Sequence, residues 1–402
     1  MREPPLNRKL FVGIGANVLL LGLVSLLTDL SSEMVLPILP MYIAALGGTA
    51  FVVGLVGGLG DSIASILKVF SGYLSDKYGT RRPFVFTGYA VAAMAKLTLA
   101  FSTVWPHALA SRSVERMGKG LREAPRDALV ADSTPVGVRG AAFGVHRAMD
   151  TGGAVLGSLV AFVLIWFFDF EFKAIILACA AIAFVALLPL FKVTEVKREP
   201  QPVKFGVAFR TLPRQLKWFV LVAGIFALGN FTYMFFVLRA QESFAGTMSD
   251  KAALAIPVLL YALYNLVYSL FSVPAGLISD KVGRGKVLVT GYLLFVATCF
   301  GFAFLRSLPA MIVLFVAYGL VYALVRGNER AFACDLGSDC ARGTALGTLH
   351  MAIGLVALPG SLIAGALWEQ VTPGAAFIFG GVLALVAAVL LVRLVLRRPA
   401  EA

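Results

Sequence analysis

The chain has 402 residues, of which 59% are hydrophobic and only 14% charged, with a net charge of +13 and a mean hydropathy of +0.87. A water-soluble domain of this composition would expose large apolar patches, so the composition excludes a soluble globular protein and indicates an all-α membrane protein. The positive charge alone would suit a nucleic-acid binder, but the basic residues gather in short breaks on one side of the apolar runs, where they act as topology signals instead.

Twelve apolar runs are long enough to cross a hydrocarbon core of about 30 Å as helices. They cover about residues 12–46, 50–75, 82–105, 107–130, 138–168, 172–192, 216–244, 252–279, 285–306, 308–334, 342–369 and 374–397. The first exceeds a straight crossing, and Pro37 and Pro40 predict a bend in it. It is also too long for a cleavable signal peptide and lacks the small-residue cleavage pattern. Arg2, Arg8 and Lys9 precede this run, and Lys77, Arg81 and Arg82 join the second to the third. Lys281, Arg284 and Lys286 join the eighth to the ninth, and Arg393, Arg397 and Arg398 close the twelfth. By the positive-inside rule both termini and these loops are expected in the cytoplasm, with the chain in the inner (cytoplasmic) membrane. Residues 193–215, with Lys197, Arg198, Lys204, Arg210, Arg214 and three prolines, read as a cytoplasmic linker. It divides residues 1–192 from 216–402, six helices each. Cys179 and Cys299 fall inside apolar runs; Cys334 and Cys340 approach the cytoplasmic face, where disulfides are disfavoured and no neighbouring ligand spacing completes a metal site.

The two halves repeat. Gly72-Tyr73-Leu74-Ser75-Asp76-Lys77-Tyr78-Gly79 returns 204 residues later as Gly276-Leu277-Ile278-Ser279-Asp280-Lys281-Val282-Gly283. Arg139, Gly140, Gly144, Gly157 and Ser158 match Arg342, Gly343, Gly347, Gly360 and Ser361 at an offset of 203. A repeat this long in an apolar chain predicts two pseudo-symmetric six-helix bundles with a pathway between them, the layout of a secondary transporter.

Charges inside the runs locate the candidate site. The fourth run carries eight charged residues between Arg112 and Asp127. Exposing them to lipid would cost on the order of 20 kcal/mol at about 3 kcal/mol each, so they must face protein or water. At about 100° per residue, Arg112, Glu115, Arg116, Lys119, Arg122, Glu123, Arg126 and Asp127 share one face, opposite an apolar back. Five basic residues against three acidic ones call for an anionic partner, either protein or substrate. A salt-bridged structural seam is the alternative. Asp29 and Glu33, four residues apart in the first run, are placed to share a proton or hold a cation, or equally to pair with Arg116 or Lys119. Asp150 lies on the face of the fifth run that bears Gly153 and Gly157, where it can neutralise an arginine of the fourth. In the tenth run Tyr318, Tyr322, Arg326, Glu329 and Arg330 share an arc. There Glu329-Arg330 stands in register with Arg126-Asp127, a charge reversal that would let the halves attract at their cytoplasmic ends. Asn230, Tyr233 and Gln241 share a face of the seventh run; Arg239 points away and must snorkel or meet a neighbouring helix unless the helix breaks. His146 and His350, near repeat-equivalent helix starts, read as satisfied interfacial histidines.

On these residues the chain resembles the major facilitator superfamily of secondary transporters. The loop from Gly72 to Arg82 is similar to the family's signature between helices two and three, with a second copy at Gly276, Asp280, Gly283, Arg284 and Lys286. The resemblance implies that Asp76 and Arg81, and with them Asp280 and Arg284, control the rocking of the halves. Arg116-Met117-Gly118-Lys119-Gly120 resembles the helix-four motif of proton-coupled members and implies a coupling role for Arg116. Gly153-Ala154-Val155-Leu156-Gly157-Ser158 resembles the helix-five antiporter motif, with Ser158 in place of its proline. Asp29-Leu30-Ser31-Ser32-Glu33 and the stretch from Gly118 to Asp127 resemble a prokaryotic branch of the superfamily.

The expectation is a monomeric, proton-driven exporter of a small anionic or amphipathic organic solute, working by alternating access without a cofactor. Asp29, Glu33, Arg112, Arg116, Lys119, Asp150, Asn230, Tyr322 and Arg326 are the candidate substrate and proton residues. Asp76, Arg81, Asp280, Arg284, Glu329 and Arg330 are the candidate gate. Uptake of an anionic metabolite, or export of a metal ion or chelate, are the alternatives. An enzyme is not expected, because no nucleophile or metal centre with an oriented partner is found.

Overall fold

The computed structural model of the chain describes residues 15–135, 138–195, 212–337 and 342–396, and every regular element among them is helical. The first span is split, as its prolines predict. Helix α1 (Ala16–Val35) stops before Pro37, and α2 (Leu39–Ala45) starts with Pro40 in its first turn, where the missing N–H costs nothing. The first half continues through α3 (Ala50–Tyr78), α4 (Arg82–Ala100), α5 (Trp105–Asp132), α6 (Arg139–Phe168) and α7 (Phe172–Val185), which a 3-10 turn extends to Lys192. In the second half α8 (Arg214–Gly229) and α9 (Met234–Phe244) share the seventh span. They are followed by α10 (Asp250–Val282), α11 (Arg284–Phe304), α12 (Leu308–Leu336), α13 (Arg342–Gln370) and α14 (Pro373–Leu396).

Eleven of the twelve spans are, among the described residues, long and apolar enough to cross a membrane. The twelfth, α5, has 28 residues but too many charges to qualify on hydropathy. It packs against α3, α4 and α1 and turns Arg116, Lys119 and Glu123 to the cavity between the bundles. Arg2, Arg8, Lys9, Arg397, Arg398, Cys340 and residues 196–211 of the linker lie outside the described residues.

Packing follows the repeat. Within the first half α1 lies on α6, α3 on α5 and α4 on α5; their counterparts α8 on α13, α10 on α12 and α11 on α12 do the same in the second. Small residues set the closest approaches: a Cβ on Gly157 would strike the Leu30 carbonyl, and one on its repeat partner Gly360 the Leu228 carbonyl. Aromatic rings fill the second half, with Phe236 stacked on Tyr318 (4.1 Å) and Phe226 on Tyr292 (3.8 Å). Arg239, 1% exposed, reaches across this core to donate from Nε to the Phe302 carbonyl and from Nη2 to the Ala303 carbonyl, both at 3.0 Å, at the end of α11. The helix breaks at Asn230–Tyr233, and Arg239 then caps a neighbouring helix instead of snorkelling.

Both copies of the repeated loop end in a glycine with positive φ, 66° at Gly79 and 102° at Gly283, a region that penalises any residue with a Cβ. Beyond the first loop, Glu195 caps α4, accepting from the N–H groups of Arg81 (2.9 Å) and Arg82 (2.7 Å), where a carboxylate also meets the positive end of the helix dipole. The linker therefore leaves the first bundle anchored to its signature loop.

Candidate functional site

The bundles meet along α3 with α13 and α6 with α10. Away from the basic loops they touch closely. A Cβ on Gly58 would stand 2.8 Å from Ser361 Cβ and 2.9 Å from Leu358 Cα; one on Gly365 would stand 2.8 Å from Phe51 Cα. Hydrogen bonds cross the same seam, from Ser62 Oγ to the Gly354 carbonyl (2.5 Å) and from the Phe51 N–H to Glu369 Oε1 (2.6 Å). Toward the basic-loop end the bundles part, and a Cβ on Gly140, Gly144, Gly276 or Gly347 would meet nothing within 4 Å among the described residues. Between them lies a cavity of about 360 Å³, the size of a small-molecule site.

The first-half wall of the cavity is ionic. Arg116 pairs with Asp61 of α3, and Lys68 Nζ lies 3.2 Å from Glu123 Oε1. Arg126 Nη2 bonds Asp127 Oδ1 (2.9 Å), while its Nη1 donates to Ser25 Oγ (3.1 Å) and lies 3.7 Å from Asp150 Oδ1. Arg147 Nη1 donates to Asp150 Oδ2 at 2.9 Å. The Asp29 carboxyl neighbours that of Asp150, and both line the cavity. Lys119 forms no ion pair among the described residues and stands in the field of Arg116, Glu123 and Asp29.

Tyrosines dominate the opposite wall. Tyr261, Tyr264 and Tyr268 follow one face of α10, and Tyr264 stacks on Tyr318 (4.9 Å) and meets Tyr322 edge-on (5.3 Å). The Arg326 guanidinium lies 4.9 Å over the Tyr322 ring. Arg330 and His350 complete the wall toward the mouth, and Asn230, at the break in the seventh span, turns a buried Oδ1 without a hydrogen-bond partner into this region. Hydrogen bonds tie the walls together. Glu33 Oε2 accepts from Tyr261 Oη (2.9 Å) and Asn265 Nδ2 (3.1 Å), and Arg147 Nη2 donates to Tyr268 Oη (3.0 Å). Ser158, standing where the resemblance leads one to expect proline, receives a further bond from Asn265 Nδ2 (3.3 Å).

Several sequence expectations are relocated by this geometry. Arg112 does not line the cavity; it is 4% exposed, paired with Glu115 behind the ionic wall. Arg122 is likewise buried, 4.2 Å over the Tyr89 ring. The basic excess of α5 is met largely by protein, through Asp61 and Asp150 from neighbouring helices, so the seam reading holds for most of its length. Glu329 gives no attraction between the halves: its Oε1 accepts from Tyr292 Oη (2.8 Å) inside its own bundle, and Arg126 is held by Asp127. Asp76 pairs with Arg81 (2.5 Å), which also reaches Ser75 (2.7 Å) and Asp132 (3.6 Å); Arg284 pairs with Asp280 (3.3 Å) and Asp335. Each gate cluster is thus closed within its own bundle at the open end. His146 is satisfied by Ser25 (3.1 Å), whereas His350 faces the cavity.

Other site residues escaped the sequence reading. Asp61 and Lys68 were detectable as charges within an apolar run, and so was Lys96, which is 1% exposed and donates to Ser31 Oγ (2.8 Å) and Ser32 Oγ (2.9 Å). Tyr261, Tyr264 and Tyr268 carried the weaker signal of polar groups at helical spacing. Among the described residues no group of three or more His, Cys, Asp or Glu is placed to hold a metal ion.

A polar cavity between two repeated helix bundles, shut at one end and open at the other, is the architecture of a membrane transporter. The profile of the Major Facilitator Superfamily matches residues 21–261 and 219–402, and the chain belongs to that superfamily. An uncharacterised MFS-type transporter of Methanocaldococcus jannaschii is 46% identical over 382 residues, 94% of either chain. The multidrug resistance protein MdtH of Aeromonas hydrophila is 26% identical over 356 residues, 87% of either chain. In three dimensions the fold is similar to a crystal structure of a mutant of the nucleoside transporter NupG, with a TM-score of 0.79 at 14% identity over 94% of this chain and 99% of that one.

Proposed function

We propose that this transporter is a proton-coupled exporter of small amphipathic organic anions, working by alternating access. The observation that carries the reading is the cavity itself: paired or bridged carboxyls with Lys119 on one wall, and Arg326 and Arg330 beside an aromatic face on the other, these three cations forming no ion pair among the described residues. The positive-inside rule puts the basic loops and both termini in the cytoplasm of a cell whose inner membrane holds the protein as a monomer. The open end then faces the cytoplasm, and solute enters from inside. The relative named as a multidrug resistance protein supports export.

Asp29 and Asp150 are the proton site in this reading, since two neighbouring buried carboxyls repel when both are charged and are relieved by one proton between them. Arg126 and Arg147 hold Asp150 in place, and Arg116 is fixed by Asp61. Lys119, Asn230, Tyr322 and Arg326 contact solute. Asp76, Arg81, Asp280 and Arg284 clamp the cytoplasmic end when it closes. No cofactor takes part; the proton gradient supplies the energy.

One observation favours uptake as a second reading. Six carboxylates and six lysines or arginines line the cavity, so protonating a carboxyl leaves it positive and favours an anion. Proton and anion would then bind cooperatively and travel together. Proteoliposomes decide between the two. With an imposed pH gradient, an exporter moves a labelled organic anion against the proton flux and a symporter moves it with the flux. Asp29→Asn is expected to abolish gradient-driven movement in either case. Gradient-driven movement at the wild-type rate in Asp29→Asn and in Asp150→Asn would refute the proton site.

A further inference from the structure

The ionic wall of the first bundle leaves few free charges, and the uncompensated ones collect elsewhere. Arg326 and Arg330 sit four residues apart on α12, hence on one helical face, and both are exposed to the cavity. The carboxylate between them in sequence, Glu329, also borders the cavity but is engaged by Tyr292, whose Oη donates to its Oε1, and forms no ion pair with either arginine among the described residues. Neither arginine forms an ion pair among the described residues. Facing them from α13 is His350, whose ring stands in the field of Lys68, Arg330 and Arg326, opposed by Glu123. Lys68 belongs to the other bundle, and its Nζ is shared with Glu123 at 3.2 Å.

Three cations and an imidazole from both bundles therefore converge at the mouth, directly below an aromatic face. Two guanidinium forks offer planar donor pairs that match an oxyanion, and such pairs are shorter and stronger than neutral hydrogen bonds. The Tyr322 ring under Arg326 and the Tyr264 and Tyr268 rings beside it provide an apolar surface within the same cavity.

We propose that Arg326, Arg330, His350 and Lys68 form an oxyanion site at the mouth, taking the carboxylate or phosphate of a solute whose apolar part lies on the tyrosine face. This deepens the functional reading above and rests on its premise that the solute is an anion. It also moves the anion from the α5 wall to the second bundle, away from Asp29 and Asp150. An anion held by Arg330 on one side and Lys68 on the other binds best when the bundles approach, so solute itself favours closure of the mouth.

The test is equilibrium binding to the full-length purified protein, without a gradient. Benzoate, inorganic phosphate and benzyltrimethylammonium are titrated calorimetrically. Wild type is expected to bind an anion and not the cation. Arg326→Gln with Arg330→Gln should weaken that binding about tenfold or more, the equivalent of losing one charge-assisted contact. The paired change to lysine should recover part of the affinity, which a misfolded site would not, and Arg306→Gln, exposed at the other end of the bundle, should leave it unchanged. Binding of benzoate alone identifies a carboxylate site, and binding of phosphate a phosphate site; either supports the proposal. Unchanged affinity in the double glutamine variant, preference for the cation, or binding of neither anion overturns it. Because no gradient is present, a protein that binds benzoate through these arginines yet fails to move it under a pH gradient keeps the site and refutes the coupling.

Discussion

Glu33→Gln is expected to unlatch the closed end. Glu33 is the carboxylate of the first wall that accepts two hydrogen bonds from the second bundle, from Tyr261 at 2.9 Å and Asn265 at 3.1 Å. A hydrogen bond to a charged group is worth about 1.5–3 kcal/mol against about 0.5–1.5 for a neutral one. Glutamine keeps an acceptor oxygen but loses the charge, so each bond weakens by about 1–1.5 kcal/mol and the pair by about 2–3. At about 1.4 kcal/mol per factor of ten, the balance between closed and open at this end moves roughly 30- to 150-fold toward open. Spin labels on the ends of α3 and α13 near Phe51 and Glu369 report that separation as a distance distribution. A Glu33→Gln distribution that overlays the wild type would refute the argument, since it would mean the two bonds carry no differential energy between states.

Three further changes follow from the same geometry. Gly58→Ala places a methyl against the backbone of α13, which cannot yield, and is expected to open the same end while lowering thermal stability by about 1–3 kcal/mol; an unchanged melting temperature in detergent would contradict the close contact. Asp76→Asn removes the carboxylate of the clamp proposed for the closed cytoplasmic end, a loss taken to outweigh that of its intra-bundle pair with Arg81. It should move the population toward the mouth-open arrangement by about 1–3 kcal/mol, read from label distances between the ends of α3 and α13 near the loops. Arg239→Met deprives the Phe302 and Ala303 carbonyls of their donor and should destabilise the second bundle by about 3 kcal/mol, measured by denaturant titration in micelles.

The repeat and the apolar runs made the two-bundle fold legible, because a membrane allows few alternatives to the helix and duplicated motifs keep their spacing. Pro37 and Pro40 announced the break in the first span. The break at Asn230–Tyr233 was harder to see, because no proline marks it; Gly229-Asn230, a common helix ending, was its sole local sign. The α5 charges were legible as buried, but not their partners, since periodicity gives a face and leaves open what lies against it. Arg112 and Arg116 illustrate the limit: four residues apart on one face, yet the first is sealed behind the wall with Glu115 and the second lines the cavity with Asp61. Glu329 illustrates another, for its register with Asp127's neighbour carried a charge argument that a single tyrosine hydroxyl overrides.

The empty spaces over the mouth glycines point to an arrangement beyond the present one. Gly144 and Gly347 are repeat partners toward the basic-loop ends of α6 and α13, and with Gly140 and Gly276 they present backbone that meets nothing within 4 Å among the described residues. At the shut end the equivalent stretches use glycine to bring helices together, as Gly58 and Gly365 do. Bare backbone at the mouth has no neighbour now, but it removes the side chains that would prevent one, so the same helices can later approach there as closely as they do at the far end. The opening is in this sense a mould of its own closure, with glycine marking where the two faces are to meet.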